Sequence, residues 1–358
     1  MTEEFKNIVK VACIYATSII GAGFASGQEI MQFFSTYRSG GFLGILLSGI
    51  LFAVVGGLVL DKICTERIRN FEEFLFPAFG WGIGWIIEAA VTVFMLCMFC
   101  IMLAGSGHVI SDRTGMQLNL AALIMGVICM VFILTNIKGI VTLSTLTTPI
   151  LVAGIILAGT YIIIFNSAQT SGITGYLRHV TGNWFVSSLL YVSYNSIPAI
   201  VIMCSLLPYL KTRRTAVGGG ILGGLMLCVT AFIINIAIFL FYPDALKAEL
   251  PILSILKSSS EPAGNLYAVI LWLAMFLSAV TSGFCFTERA ASMLKLDRRI
   301  ITLVLCAAAV PLSTLGFSRL IAAIYPVFGY LGLFIIIVVL LQGGLKLRKG
   351  LSGQYGRK

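Results

Sequence analysis

Residues that could bind a ligand are scarce in this chain, and they fall in three short stretches. The first, Ile19-Ile-Gly-Ala-Gly-Phe-Ala-Ser-Gly-Gln-Glu-Ile30, sets Gly21, Gly23 and Gly27 beside Ser26, Gln28 and Glu29. The glycines concentrate low helix propensity inside one apolar run. Ser26 and Glu29 have the S-x-x-E spacing of a capping box, where a helix starts afresh. The pattern predicts a chain that stops being helical near Gly21 and restarts near Ser26. The rival is an unbroken helix in which Gly23-x-x-x-Gly27 serves close helix packing. Polar Gln28, Glu29 and Gln32 favour the break. The second stretch, Tyr191-Val-Ser-Tyr-Asn-Ser-Ile-Pro198, offers Asn195 and Ser196 as N-caps and Pro198 for a first helical turn. It reads as a second break or as a proline kink. The third places Ser278, Thr281, Ser282 and Cys285 at i, i+3, i+4 and i+7, on one helical face.

Breaking a helix within a membrane frees backbone N–H and C=O groups that must find partners. A half restarting at Ser26 would aim its N–H groups and positive dipole end inward, which suits a carboxylate. A half ending near Tyr194 would offer carbonyls, which suit an ammonium group or a cation. A zwitterion such as an amino acid matches both ends, with Tyr191 and Tyr194 as aromatic walls or hydroxyl donors. Thr281 and Ser282, joined by freed carbonyls, suit a small hard cation; alternatively such hydroxyls bond back to their own helix. Acidic residues inside spans are costly, and Glu29, Glu88 and Glu288 are the candidates. Glu29 is the partner of Ser26 in the capping box, or else a proton carrier or substrate contact. Glu88 serves structural pairing or coupling, and Glu288, beside Arg289, lies near the interface.

The surrounding elements follow from composition. Of 358 residues, 59% are apolar and 11% charged, against about 25% charged in a soluble domain. That excludes a soluble globular protein and a disordered chain, and it indicates a polytopic membrane protein. The net charge of +10 does not point to nucleic acid, because Lys and Arg sit in short clusters between apolar runs. All nine Cys lie in or beside such runs, as buried small hydrophobes. Cys97-x-x-Cys100 has no nearby His and reads as packing. Acidic Glu3 and Glu4 ahead of the first run do not fit a signal peptide.

Ten spans are expected: 7–34, 41–64, 83–107, 117–136, 139–166, 184–209, 216–241, 263–287, 299–317 and 320–345. Segment 244–258 is amphipathic and too short to span, so it reads as an outer-loop helix. Most basic residues fall on one set of loops: Lys6, Lys10, Lys62, Arg67, Arg69, Lys138, Lys211, Arg213, Arg214, Arg289, Lys295, Arg298, Arg299 and the tail from Lys346. The opposite loops hold Arg38, Arg113, Arg178, Lys247, Lys257 and Arg319. This bias predicts both termini in the cytoplasm. The two interruptions fall in the first span of residues 7–166 and the first span of 184–345. Each half has five spans, an odd number, so the halves are inverted, as in many secondary transporters.

Gly21-Ala-Gly-Phe-Ala-Ser-Gly-Gln-Glu-Ile30, with ten spans over the whole chain, resembles the YkvI-type amino acid permeases of the amino acid–polyamine–organocation superfamily. The resemblance implies an all-α integral membrane fold, the LeuT fold of five-plus-five inverted repeats with helices 1 and 6 broken. It also implies a sodium position made by the hydroxyls of Thr281 and Ser282 and the carbonyls of Ser278, Thr17 and Ile20. Some proton-coupled members place a Lys on span five, which here has none after Lys138. A substrate carboxylate would meet the amides near Ala22 and Gly23. Phe24 stands where some relatives have a polar ligand of a second sodium. The expected function is sodium-coupled symport of an amino acid or similar small zwitterion across the cell membrane by alternating access. Its binding residues would be Gly21, Ala22, Gly23, Ser26, Glu29, Tyr191, Tyr194, Asn195 and Ser196. The alternatives are a proton-coupled transporter using Glu29 or Glu88, and a ligand sensor that reuses the fold without transport. No nucleophile–base or metal constellation suggests an enzyme, and no organic cofactor or nucleic-acid partner is implied.

Overall fold

The computed structural model describes residues 3–134, 137–165, 182–241, 250–314 and 327–338, with eight further residues including Phe317 and Tyr325. The side chains of Ile137 and Lys138 lie outside the described residues, as do Arg178, His179, Lys247, Arg319 and the tail from Gln342. Every described element is helical. In chain order they are α1 (Glu3–Ile19), α2 (Ala22–Ser26), α3 (Gln28–Phe33), α4 (Ser39–Glu66), α5 (Phe71–Thr114) and α6 (Leu118–Ile133). There follow α7 (Ile137–Phe165), α8 (Trp184–Cys204), α9 (Arg213–Leu240), α10 (Pro251–Ser259), α11 (Glu261–Leu294) and α12 (Arg298–Ser313). The last is α13 (Val327–Val338).

Six of these helices, α4, α5, α7, α8, α9 and α11, are long and apolar enough to cross a bilayer. Their outer faces carry Ile50, Leu146, Leu157 and Val269, all more than 60% exposed, as lipid contact requires. The first expected span appears as three pieces, α1 to α3. Helix α13 falls inside the tenth expected span. The helix expected over 244–258 is shorter and begins at Pro251, where a fixed φ and a missing N–H suit the first turn.

The third span begins with a kink. Gly80 takes φ 73°, ψ 172° within α5, a region open mainly to glycine. Ahead of it, the Asn70 side chain accepts from Glu73 N at 2.8 Å, and Glu73 accepts from Arg69 N at 2.8 Å. Beyond it, exposed Trp81 stacks on Phe76 and lies near Trp85, the amphipathic rings that favour a membrane–water boundary.

Loops that the sequence assigns to one side do meet at one end. Arg213 pairs with Asp61 at 2.7 Å, Thr212 donates to Glu4 at 2.8 Å, and Ser292 donates to Glu72 at 2.8 Å. At the other end Lys257 pairs with Asp112 at 2.5 Å.

Helices α4 and α9 share the most extensive helix contact, and glycine makes it possible. A methyl group at Gly220 would overlap the Gly57 backbone, and one at Gly224 would sit 2.5 Å from Ala53 N. With little apolar driving force between helices in lipid, such close approach supplies the packing attraction. Helix α1 seats against both: Tyr15 fits over Gly56 and Gly223, and its hydroxyl donates to the Phe52 carbonyl at 2.7 Å. Gly224→Val is therefore expected to lower the unfolding midpoint of the detergent-purified protein, at a cost of about 1–3 kcal/mol. Gly82→Ala, which meets nothing within 4 Å, should leave the midpoint unchanged.

Candidate functional site

The first expected break is present, but it is built differently. Helix α1 stops at Ile19, and the Gly21 N–H turns back to the Ile19 carbonyl at 2.8 Å. Gly21 is extended, at φ −105°, ψ −165°, and the helix restarts at Ala22, not Ser26. One turn later Gly27 adopts φ 83°, ending α2 and launching α3. Ser26 and Glu29 do not form a capping box. The Ser26 hydroxyl donates to the Gly23 carbonyl at 3.2 Å and accepts from Gln28 N at 3.3 Å. The left-handed turn at Gly27 redirects the chain, and Glu29 folds back over Gly23, where a Cβ would overlap its carboxylate.

Glu29 is 3% exposed. It accepts hydrogen bonds from the hydroxyls of Tyr194 at 2.7 Å and Tyr325 at 3.2 Å. Those two rings stack with centroids 4.5 Å apart. Phe33 lies against Tyr194 at 5.5 Å and Tyr191 at 5.4 Å, which encloses the group in aromatic rings. The buried Tyr191 hydroxyl has no hydrogen-bond partner among the described residues.

The second expected break is corrected. Helix α8 runs unbroken over Trp184–Cys204. Asn195 and Ser196 cap nothing: their side chains donate to the carbonyls of Tyr191 at 3.0 Å and Val192 at 2.7 Å. Both are thereby used within the helix they were expected to restart. Pro198 has no N–H, so the only regular bond it withholds is the one to the Tyr194 carbonyl. Proline in a membrane helix is tolerated when neighbours re-satisfy the backbone, and here it stays within the helix.

Where α1 ends, α11 passes. Ser278 donates to the Ile20 carbonyl at 3.2 Å, and Ser282 donates to the Ser278 carbonyl at 2.7 Å. Thr281 is buried on the same helix. Thr17 bonds back to its own helix, at the carbonyls of Cys13 (2.7 Å) and Ile14 (3.2 Å). Three of the five expected ion ligands, Ile20, Ser278 and Ser282, are thus joined directly. Three further residues missed in the sequence complete the surroundings. Tyr325 reaches Glu29, Tyr267 donates to the Ala25 carbonyl at 2.5 Å, and Ser187 donates to the Phe33 carbonyl at 2.8 Å. Only a hydroxyl in an otherwise apolar run marked them.

Glu88 is also buried but differently partnered. Arg289 lies 2.7 Å from it, donates to its carbonyl at 3.0 Å and to Thr92 at 3.1 Å, and stacks on Phe71. The pair lines a cavity of about 550 Å³ at the end where α4 gives way to α5. Glu288 pairs with Arg298 near the surface, at 2.5 Å. Among the described residues no three of His, Cys, Asp and Glu gather as metal ligands.

No family profile matches the chain. Two Bacillus subtilis proteins are similar to it along nearly their whole lengths. The uncharacterized membrane protein YkvI is 25% identical over 342 residues, 94% of this chain and 96% of the relative. The uncharacterized protein YyaD is 27% identical over 325 residues, covering 90% and 93% of the two chains. Among solved structures, a Na+-coupled sialic acid symporter in a substrate-bound outward-open state superimposes with TM-score 0.64 at 12% identity. The match covers 94% of this chain and 78% of that one. A nucleobase-cation-symport-1 family transporter, closed around bromovinylhydantoin, gives 0.65 at 15% identity, over 91% and 74%. The Eremococcus coleocola manganese transporter gives 0.60 at 13% identity, over 93% and 76%. The chain has the LeuT fold. In it, the broken first helix and α11 lie side by side, with α8 against the same break.

Two substitutions test this geometry. Gly23→Ala should lower the unfolding midpoint by an amount worth about 1–3 kcal/mol. In a Glu29→Ala background the same change should be close to neutral, since the atoms it would strike are gone. Glu88→Gln, which leaves Arg289 buried without its counter-charge, should cost about 3–5 kcal/mol. Glu288→Gln, at a half-exposed pair, should cost under about 1 kcal/mol by the same chemical-denaturation measurement.

Proposed function

We propose that the protein is a secondary active transporter that couples sodium to the uptake of an amino acid or similar small zwitterion by alternating access. The observation that carries this reading is the contact between the end of α1 and α11. A broken helix end, Ile20, accepts from the hydroxyl of Ser278 inside the bundle, and one turn on Ser282 donates to the Ser278 carbonyl. Oxygen ligands of this kind suit a hard monovalent cation, supplied here by the carbonyls of Thr17, Ile20 and Ser278 and the hydroxyls of Thr281 and Ser282. The likeness to a Na+-coupled symporter supports the reading. The solute would sit beside the break, among Gly21, Ala22, Gly23, Ser26 and Glu29 on one side and Tyr191, Tyr194, Asn195 and Ser196 on the other. Residues 7–166 and 184–345 would form the two repeats, with the protein in the cell membrane and both termini cytoplasmic.

A second reading, proton coupling through Glu29, is favoured by one specific observation: among the described residues hydroxyls, not cations, accompany its buried carboxylate. Glu88 is less suited to that task, because Arg289 already compensates it.

Uptake of a mixture of labelled amino acids into proteoliposomes, driven by either a sodium or a proton gradient, separates the two. Under the sodium reading, replacing external sodium with potassium abolishes accumulation. Ser282→Ala and Thr281→Ala then each raise the half-saturating sodium concentration by about tenfold or more. If a pH gradient drives uptake in potassium, and Glu29→Gln abolishes it, the sodium assignment is wrong. If neither gradient drives accumulation while ligands still bind, the protein is a sensor.

A further inference from the structure

We infer that Glu29 is the counter-ion for a positively charged amino group on the solute, held between the hydroxyls of Tyr194 and Tyr325. A carboxylate on the solute is then not what the break recognises. This deepens the transporter reading above and rests on it.

The argument begins with where the charge sits. A helix start inside a membrane is a natural place for an anion, and the sequence suggests a substrate carboxylate there. The space is already taken. The Glu29 carboxylate lies against Gly23, so closely that no Cβ would fit between them. A second carboxylate brought to the Ala22–Gly23 amides would meet this one at short range in a medium of low dielectric, where like charges repel strongly.

The second step is what Glu29 lacks. Among the described residues no Lys or Arg forms an ion pair with it. Its neighbours are neutral: the two tyrosine hydroxyls and the side chain of Asn195. A buried carboxylate with no positive partner is costly and marks a functional position by default. The contrast with Glu88, equally buried and paired with Arg289, shows that this fold can supply a counter-charge where one is structural.

The third step is the shape of the surroundings. Tyr194, Tyr325, Tyr191 and Phe33 bring four aromatic rings around the acid, from α8, from the segment ahead of α13 and from α3. Aromatic faces attract cations. An acid walled by such faces selects an ammonium group over a neutral group of the same size. The Tyr191 hydroxyl, buried and without a partner among the described residues, offers a further acceptor to an N–H. The rings touch one another in this conformation, so the solute must part Tyr194 from Tyr325 to enter.

The test uses the full-length purified protein in detergent, with binding read by thermal shift and by microscale thermophoresis. The probes are ethanolamine, the zwitterion glycine, the neutral isostere ethylene glycol and the anion glycolate. The expected order places ethanolamine and glycine together, about 10–100-fold tighter than ethylene glycol, with glycolate weakest. Glu29→Gln should erase the preference for the ammonium probes while leaving the unfolding midpoint of the unliganded protein unchanged or raised. A merely structural acid would lower that midpoint and leave the order intact. Tyr325→Phe, a milder change, should weaken the ammonium probes by about tenfold and not affect ethylene glycol.

If ethylene glycol binds as tightly as ethanolamine, or if Glu29→Gln retains the ammonium preference, the inference is overturned. The same holds if glycine binds and ethanolamine does not, since the carboxylate would then be what is read. Failure of transport is a separate outcome. Ammonium-selective binding without accumulation in proteoliposomes leaves this inference standing and removes the transporter reading. Accumulation of solutes without ammonium preference does the reverse.

Discussion

Inside a bilayer, a backbone group that leaves a helix must find its partner in protein, because no water is there to replace it. The rest of this structure depends on how that requirement is met between Ile20 and Phe33. Each interruption frees carbonyls, and hydroxyls from neighbouring helices answer them. Ser278 takes Ile20, Tyr267 takes Ala25, and Ser187 takes Phe33. Two of these donors stand on α11 and one on α8. The break is therefore also the joint that fixes α1, α8 and α11 to one another. A polar site and a structural hub occupy the same few residues.

The glycines on this path do different jobs, which their common low helix propensity conceals. Gly21 lets the chain run extended past Ser278. Gly23 makes room for a carboxylate, and Gly27 supplies the left-handed turn between α2 and α3. The expectation of a break near Gly21 rested on propensity and held. The expectation of a capping box rested on a four-residue pattern and did not, because a pattern says nothing about φ at Gly27. Once that residue turns left-handed, Glu29 is carried away from Ser26 and toward Tyr194.

A similar limit explains the error at α8. Asn195 and Ser196 favour helix starts because their side chains compete for backbone groups, but the same chemistry lets them bond back to carbonyls four residues earlier. The sequence holds both options, and packing decides. Gly332 of α13 approaches the α8 backbone at Ser193 so closely that a Cβ there would overlap its carbonyl. A neighbouring helix pressed this tightly against α8 leaves little room for it to unwind. The positions of the six long apolar helices were legible because they depend on apolar length. The partners of Glu29 were not, because Tyr325 lies 296 residues away and carries no local signature.

The two buried carboxylates show how one residue type can be put to opposite uses. Glu88 has a guanidinium at 2.7 Å, bonded also to Thr92 and laid over Phe71. Those contacts tie α5 to α11. Among the described residues Glu29 has donors but no counter-charge, and the elements that hydrogen-bond to it pack on the break. In a folded chain that must keep buried charge compensated, an acid left without a cation is incomplete by itself. The transporter proposed above would need a site that is incomplete when empty, because the free energy of completing it is what lets a ligand select a closed state. Glu88 has Arg289 beside it, whereas among the described residues Glu29 has only neutral partners.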